Sequence, residues 1–142
     1  MAKNTNPPFE NDPFIAVTSL TAAITARDGS GSPTTLVTGT TDGLRIDSIT
    51  FISAQATAAA NSAMVGRVFL SVDSGSTWTL YDEVAIAATT ASNTAVGARQ
   101  RLTYALGIKL LDSTYRIAVS ISVYAGVQDR VSVIAEGGKL AA

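Results

Sequence analysis

An all-β fold, a single antiparallel sandwich or barrel of about eight strands, is what this sequence predicts. Three observations lead there. Short segments alternate apolar with polar residues, the two-residue period of a strand with one face in a core and one in solvent. Clusters of Gly, Asp, Ser and Pro separate those segments at intervals typical of sandwiches and barrels. No stretch carries the apolar period of a long amphipathic helix, so strand–helix–strand units are not expected. At 142 residues the chain suits one domain, with enough bulk to hold a core without disulfides.

Residues 1–13 read as an extended N-terminal arm and residues 14–142 as the β-domain. Asn4, Asn6, Pro7, Pro8, Asn11, Asp12 and Pro13 disfavour helix and central strand alike. Phe9 and Phe14 are its two apolar anchors. Two readings stand: a frayed terminus, or an arm that docks on a neighbouring subunit or host surface through those rings.

The first strand is expected from Phe14 to Ala26, marked by Ile15, Val17, Leu20 and Ile24. Asp28 to Pro33 is a loop by composition. Thr34 to Thr38 is a short strand, and Gly39 to Gly43 a turn. Leu44 to Ser53 is a strand whose phase shifts, with Leu44 and Ile46 on one parity and Ile49 and Phe51 on the other. An extra residue near Asp47-Ser48, as in a β-bulge, restores one buried face.

Ala54 to Ala63 is Ala-rich but lacks the apolar period that would pin a helix to a core, so it reads as a loop with room for one helical turn. Arg67 to Ile86 is a hairpin. Val68, Leu70 and Val72 form the apolar side of its first arm, and Trp78, Leu80, Tyr81, Val84 and Ile86 carry the second. Ala87 to Ala98 is a second small, polar loop. Arg99 to Ala105 resumes alternation, Leu106 to Leu111 is short and apolar, Tyr115 to Tyr124 is a clean strand, and Asp129 to Ala135 closes the series. The expected core is Leu36, Ile46, Phe51, Val68, Leu70, Leu80, Ile117, Val119, Ile121 and Val133.

Composition removes several functions. There is no Cys and no His. Disulfides, thiolate metal sites, Cys nucleophiles, a Ser-His-Asp triad and a histidine-bound zinc are therefore absent from the inventory. Net charge is −1 with no basic run, which argues against nucleic-acid binding. No segment approaches the roughly 18–20 apolar residues of a membrane helix, and the polar, Pro-containing start does not read as a signal peptide. Alanine, serine and threonine supply 55 residues. Such small side chains bury little area each, which favours an oligomer whose contacts add burial. Arg outnumbers Lys seven to three. Arg99, Arg101, Arg116 and Arg130 on one solvent face would suit either solubility or an interface.

Ser71-Val72-Asp73-Ser74-Gly75-Ser76-Thr77-Trp78 fits the Asp-box pattern Ser-x-Asp-x-Gly-x-Thr-Trp, and so resembles the repeated hairpin of sialidase-type propellers. Its physics is structural. Asp73 bonds backbone amides across the turn, Gly75 permits the bend and Trp78 packs beneath. A propeller needs several blades, and the chain has room for one or two at most. Asp82 and Glu83 are adjacent, so a strand sends them to opposite sides, and no paired-carboxylate glycosidase site is marked. Asp28, Asp42 and Asp73 sit in Gly/Ser-rich turns, where such residues cap their own backbone; no calcium-loop spacing accompanies them. Gly137-Gly138-Lys139 lacks the Ser or Thr of a phosphate loop. No catalytic residue, metal or cofactor is expected.

Four segments appear in a suggestive order: Gly43-Leu44-Arg45-Ile46-Asp47-Ser48-Ile49, then Gly66-Arg67-Val68-Phe69-Leu70, then Trp78 to Ile86, then Val131 to Gly138. In this order they resemble a family of small decoration or cement proteins on the heads of tailed bacteriophages. The resemblance spans some two thirds of the chain and rests on strand patterns. It implies a jelly-roll-like sandwich, a trimer, and the major capsid protein as partner. It places the chain on the exterior of the virion capsid after synthesis in the host cytoplasm, with no catalytic residues to transfer. The alternative is a tail or receptor-binding module that takes carbohydrate, with Tyr81, Tyr104 or Tyr124 stacking on sugar rings.

Overall fold

The computed structural model describes residues 10–55 and 59–140. It is an eight-stranded sandwich of two antiparallel four-stranded sheets, with no α-helix among the described residues. The strands are β1 (Glu10–Leu20), β2 (Thr34–Thr38), β3 (Leu44–Ser53), β4 (Met64–Ser71), β5 (Thr79–Ile86), β6 (Arg99–Leu110), β7 (Arg116–Ile121) and β8 (Val131–Leu140). A single 3₁₀ turn, Val127–Asp129, precedes β8.

The first sheet has the order β1-β8-β3-β6 and the second β2-β7-β4-β5. β1 lies beside β8, β2 beside β7, β3 beside β6 and β4 beside β5. The chain is thus one long hairpin wound around itself, which is the jelly roll. Leu44, Ile46, Ile49, Phe51, Leu110, Val131 and Val133 of the first sheet meet Val37, Met64, Val68, Ile86, Ile117, Val119 and Ile121 of the second in one core.

The anticipated bulge is present. Ile46 stands opposite Gly137 and Ser48 opposite Glu136, so Asp47 is the extra residue. It lets Leu44, Ile46, Ile49 and Phe51 all point inward, each fully buried. The kink brings β3 close to β8, and a Cβ at Gly137 would overlap the carbonyl oxygen of Arg45.

Several boundaries differ from expectation. β1 begins at Glu10 and ends at Leu20, so residues 10–13 are already paired with β8, and Ile24 lies in a loop. Ile15 and Val17 face solvent, while Phe14, Ala16 and Leu20 turn inward. Residues 99–110 form one strand, continued through Gly107, whose φ of 68° is left-handed. β8 runs on to Leu140. Leu70 packs against the core as expected, but Leu80 does not join it. A register shift makes Tyr81 the extra residue between Leu80, opposite Phe69, and Asp82, opposite Val68. That bulge turns Leu80 to the outer side of its sheet.

The described residues of the two Ala-rich segments, 54–55, 59–63 and 87–98, form loops held by polar side chains. Buried Asn61 accepts from Thr89 N at 2.9 Å and donates to Ser62 O at 2.8 Å and Ala87 O at 3.1 Å. Gln55 donates to Ala59 O and Thr89 O and accepts from Ala91 N. Fully buried Asp129 accepts from Ser62 N and Ala125 N, both at 2.6 Å, and from Ser62 Oγ at 3.0 Å. Residues 54–55 and 59–63 and the loops of residues 87–98 and 122–130 are thereby laced together at one end of the sandwich. The opposite end carries the short turns of residues 39–43, 72–78 and 111–115, tied by Gly39 N to Tyr115 O and Ser74 N to Thr114 O.

Candidate functional site

The turn between β4 and β5 is built by its own side chains. Asp73 accepts Ser71 Oγ at 2.7 Å, Thr77 N at 2.9 Å and Thr77 Oγ1 at 2.5 Å. Ser71 Oγ in turn accepts Gly75 N at 2.9 Å. The hydroxyls of Ser71 and Thr77, followed by the Thr77 N–H, hold the Asp73 carboxyl down at about 2. Ser74 and Gly75 are consecutive left-handed residues, with φ of 64° and 86°. Glycine takes this conformation without strain, whereas Ser74 does not. The Trp78 ring lies beside Gly75, and its Cβ sits against Gly29 of the β1–β2 loop. Asp73, Gly75 and Trp78 thus build this turn and its packing.

Asp28 and Asp112 repeat the device, each accepting the N–H and hydroxyl of the residue two places on, Ser30 and Thr114. Among the described residues no three acidic side chains are grouped to hold a metal ion.

The two outer faces of the sandwich are unlike. The second sheet is covered by the chain itself. The loop of residues 21–33 leaves β1, donates Ile24 N to Ile121 O at 2.8 Å and reaches Trp78 at Gly29. Beneath it the outward residues Arg67, Phe69, Ala118 and Ser120 are all buried. Arg67 fastens the loop by donating to Ile24 O at 3.1 Å, Thr25 O at 3.4 Å and Glu83 Oε1 at 2.9 Å. Arg27 of the loop grips the same carboxylate at 2.8 and 3.0 Å. Hydrogen bonds from Arg27, then Arg67, keep Glu83 below its ordinary pKa.

Among the described residues no loop lies across the first sheet, although Ser48 and Thr50 in its outward rows are themselves buried. Across it run three outward rows, Ile15–Glu136–Ser48–Thr103, Val17–Ile134–Thr50–Arg101 and Ser19–Ser132–Ile52–Arg99. Ile15 and Val17 are 66% and 65% exposed. Arg101 reaches Ser48 Oγ at 3.1 Å and Glu136 at 3.4 Å. The face is apolar toward β1 and cationic toward β6. Arg99 and Arg101 lie together on it, whereas Arg116 belongs to β7 of the other sheet and Arg130 to the turn before β8. The four arginines therefore share no single face.

Phe14 is engaged within the chain, paired with Gly137 and packed on the core. Phe9 lies outside the described residues. Of the three tyrosines, Tyr81 and Tyr104 meet edge to face, with centroids 5.6 Å apart and planes at 69°. Tyr124 packs separately against the core. The Tyr104 hydroxyl is shut off from water with no hydrogen-bond partner. Its burial, and then the Asp82 carboxylate beside it, push the phenol well above its ordinary pKa. Asp82 and Glu83 do face opposite sides, toward Tyr104 and Arg67 respectively.

Sequence reasoning passed over Arg67, Asn61 and Asp129. A residue count back from the hairpin turn would have set Arg67 against Glu83 only with the Tyr81 bulge included. No family model matches the chain, and no curated protein matches it.

Proposed function

We propose that this chain is a structural protein of a tailed-phage particle. In this reading it is a decoration or cement protein that binds the outside of the head as a trimer and bridges subunits of the major capsid protein. The observation that carries the reading is the contrast between the two faces. One sheet is sealed by its own loop, while the other leaves Ile15, Val17 and Ile134 beside Arg99 and Arg101. Neighbouring exposed apolar residues on one sheet face suit a place where another protein sits, and apolar residues with arginine make an interface composition. β1 is an edge strand with unpaired backbone groups, which a partner strand can extend. The jelly-roll winding is the architecture that the resemblance to head decoration proteins implies.

The mechanism is adhesive. A rigid domain seats its bare face across a junction between shell subunits, and the apolar row is buried at about 25 cal/mol per Å². The arginines supply orientation through carboxylates on the shell. Residues 1–9 and Phe9 extend the contact.

The test mixes purified protein with heads of the encoding phage that lack it and measures co-sedimentation. Ile15→Asp combined with Val17→Asp is expected to melt as the parent does and to bind at least about tenfold more weakly. Deletion of residues 1–9 spares β1, unlike deletion of residues 1–13, and is expected to weaken binding without lowering Tm. Mass spectrometry of purified particles should count copies on the scale of the shell protein. Normal decoration by the double variant refutes the role of the face, and a few copies per particle would place the chain in the tail. Sedimentation equilibrium reads the trimer directly.

A further inference from the structure

We infer that copies of this chain join head to tail through the two edges of the first sheet, with Leu106 of one copy seated against Ile15 of the next. The inference rests on the oligomer in the proposed function, not on its shell partner, and assigns the surface that builds that oligomer.

The direction of the edge strands is the first observation. β1 and β6 are the outer strands of a four-stranded antiparallel sheet. With an even number of alternating strands, the two edges run in opposite directions. A second copy in the same orientation therefore brings its β1 alongside β6 of the first as an antiparallel neighbour. Among the described residues no strand pairs with the outer side of either edge.

The second observation is a bulge on β6. Between the pairs Ile46–Ile108 and Ser48–Thr103, Asp47 alone faces four residues, Tyr104 to Gly107. Four residues cannot fit opposite one, so they leave the ladder at the free edge. The excursion is braced at both ends. Tyr104 packs against the core. Gly107, with its left-handed φ of 68°, lies close against the Arg45 side chain, which donates to Asp47 at 2.8 Å. Leu106 is thereby held out at 87% exposure. An apolar knob fixed in this way loses little conformational freedom when a partner covers it.

The height of the knob points to its partner. Rows across the sheet set Phe14 level with Ile108 and Ile15 level with Thr103, so the bulge falls beside the exposed Ile15 side chain when the sheet is continued. A head-to-tail contact that closes by rotation makes a ring. About an axis along the strands such a ring has no rise from copy to copy, so heights match across the contact. Leu106 then meets Ile15 of the next copy, and Arg101 and Arg99 come beside its Val17 and Ser19.

Charge selects this pairing over a symmetrical one. β6 exposes Arg99, Arg101 and Lys109 and has no acidic residue, whereas β1 has no Lys or Arg and exposes Asp12. Two β6 edges facing each other would set cation against cation. Two β1 edges together would leave Leu106 uncovered.

Cross-linking tests the contact, because the chain has no cysteine of its own. Within one copy the two residues stand on opposite edges of the sheet, three strand spacings or about 14 Å apart, beyond the reach of a disulfide. Leu106→Cys mixed with Ile15→Cys under mild oxidation should give a disulfide-linked pair, in far higher yield than either variant gives alone. The variant carrying both substitutions should close into a covalent trimer on a denaturing gel. In sedimentation equilibrium of the full chain, Leu106→Asp should weaken self-association by about tenfold or more while its circular dichroism matches the parent. Four results overturn the inference: no mixed cross-link forms, Leu106→Cys alone cross-links as well as the mixture, Leu106→Asp associates as the parent does, or the parent is monomeric up to millimolar concentration. Co-sedimentation with heads keeps the two readings apart. Cross-linking without head binding overturns the shell partner alone, and head binding without cross-linking overturns this contact alone.

Discussion

Replacing Asp129 with Ala removes a fully buried carboxylate that joins two loops at one end of the sandwich. Two backbone donors, Ser62 N and Ala125 N, lose their acceptor, and both bonds are short at 2.6 Å. The Ser62 hydroxyl can rotate elsewhere and is left out of the sum. A buried N–H without a partner costs about 1–3 kcal/mol, so the substitution should cost about 2–6 kcal/mol. Against a typical domain stability of about 5–15 kcal/mol this is severe, and Tm should fall by roughly 2–4 °C for each kcal/mol. Urea unfolding at equilibrium measures it, provided the m-value is unchanged. Asp129→Asn keeps the shape but aims an N–H₂ at existing donors. The pH dependence gives an independent check. Burial opposes the charge of Asp129, but the N–H groups of Ser62 and Ala125 and the Ser62 hydroxyl outweigh it and keep the pKa below the ordinary value. A carboxylate depressed in the folded state contributes stability that is present above the unfolded pKa of about 3.9. That contribution is lost as pH falls through the folded value. The gap between parent and Asp129→Asn should therefore be full near neutrality and shrink in acid. A loss for Asp129→Ala of less than about 1 kcal/mol, or a gap that does not shrink in acid, refutes the assignment.

Arg67→Ala should cost about 2–4 kcal/mol by stranding two loop carbonyls and leaving Glu83 to Arg27 alone, and Arg67→Lys should not restore it because one ammonium cannot span the three acceptors. Faster hydrogen exchange at the Ile24 amide is the accompanying sign, and unchanged exchange there counts against the clamp. Gly137→Ala should cost about 3 kcal/mol or more, since the new Cβ meets the Arg45 carbonyl; a parental Tm would show that β3 and β8 are farther apart than described. The Asp73 carboxyl should titrate by NMR with a midpoint of about 2. Its stabilising effect on the turn is then present above the ordinary aspartate value and lost as pH falls through that midpoint, and a midpoint near the ordinary aspartate value would disprove the turn network.

What could be read from the residues depended on whether a phase change was visible. The Asp47 bulge was legible because Leu44 and Ile46 fall on one parity and Ile49 and Phe51 on the other. The Tyr81 bulge was not, because Leu80, Tyr81 and Val84 are all apolar enough to hide a slip of one residue, and Leu80 was placed in the core as a result. In β1 the β-branched residues Ile15 and Val17 mark the outer face, while the inner face uses Phe14, Ala16 and Leu20; in the first half of the strand hydropathy alone points the wrong way. The Asn61 and Asp129 networks left no local pattern, since the groups they join lie far apart in sequence. For the same reason, Arg67 looked like the polar half of an amphipathic strand. The turn of Asp73, Gly75 and Trp78 was legible because its side-chain hydrogen bonds lie within eight residues; the packing on Gly29 and the bond from Ser74 N to Thr114 O were not.

The winding that pairs the first strand with the last also governs how the molecule can be made. β8 lies between β1 and β3, so until residues 131–140 have left the ribosome the first sheet lacks an interior strand. β1 can only wait, and β3 exposes an edge on the side where β8 will insert. Folding therefore has to follow synthesis, and it closes contacts of long sequence separation, a class that folds in milliseconds to seconds. During that interval the open edges can pair with other chains, so slow expression should improve the soluble yield. A premature stop before residue 131 removes the centre of a sheet, and the truncated product has no smaller fold to adopt.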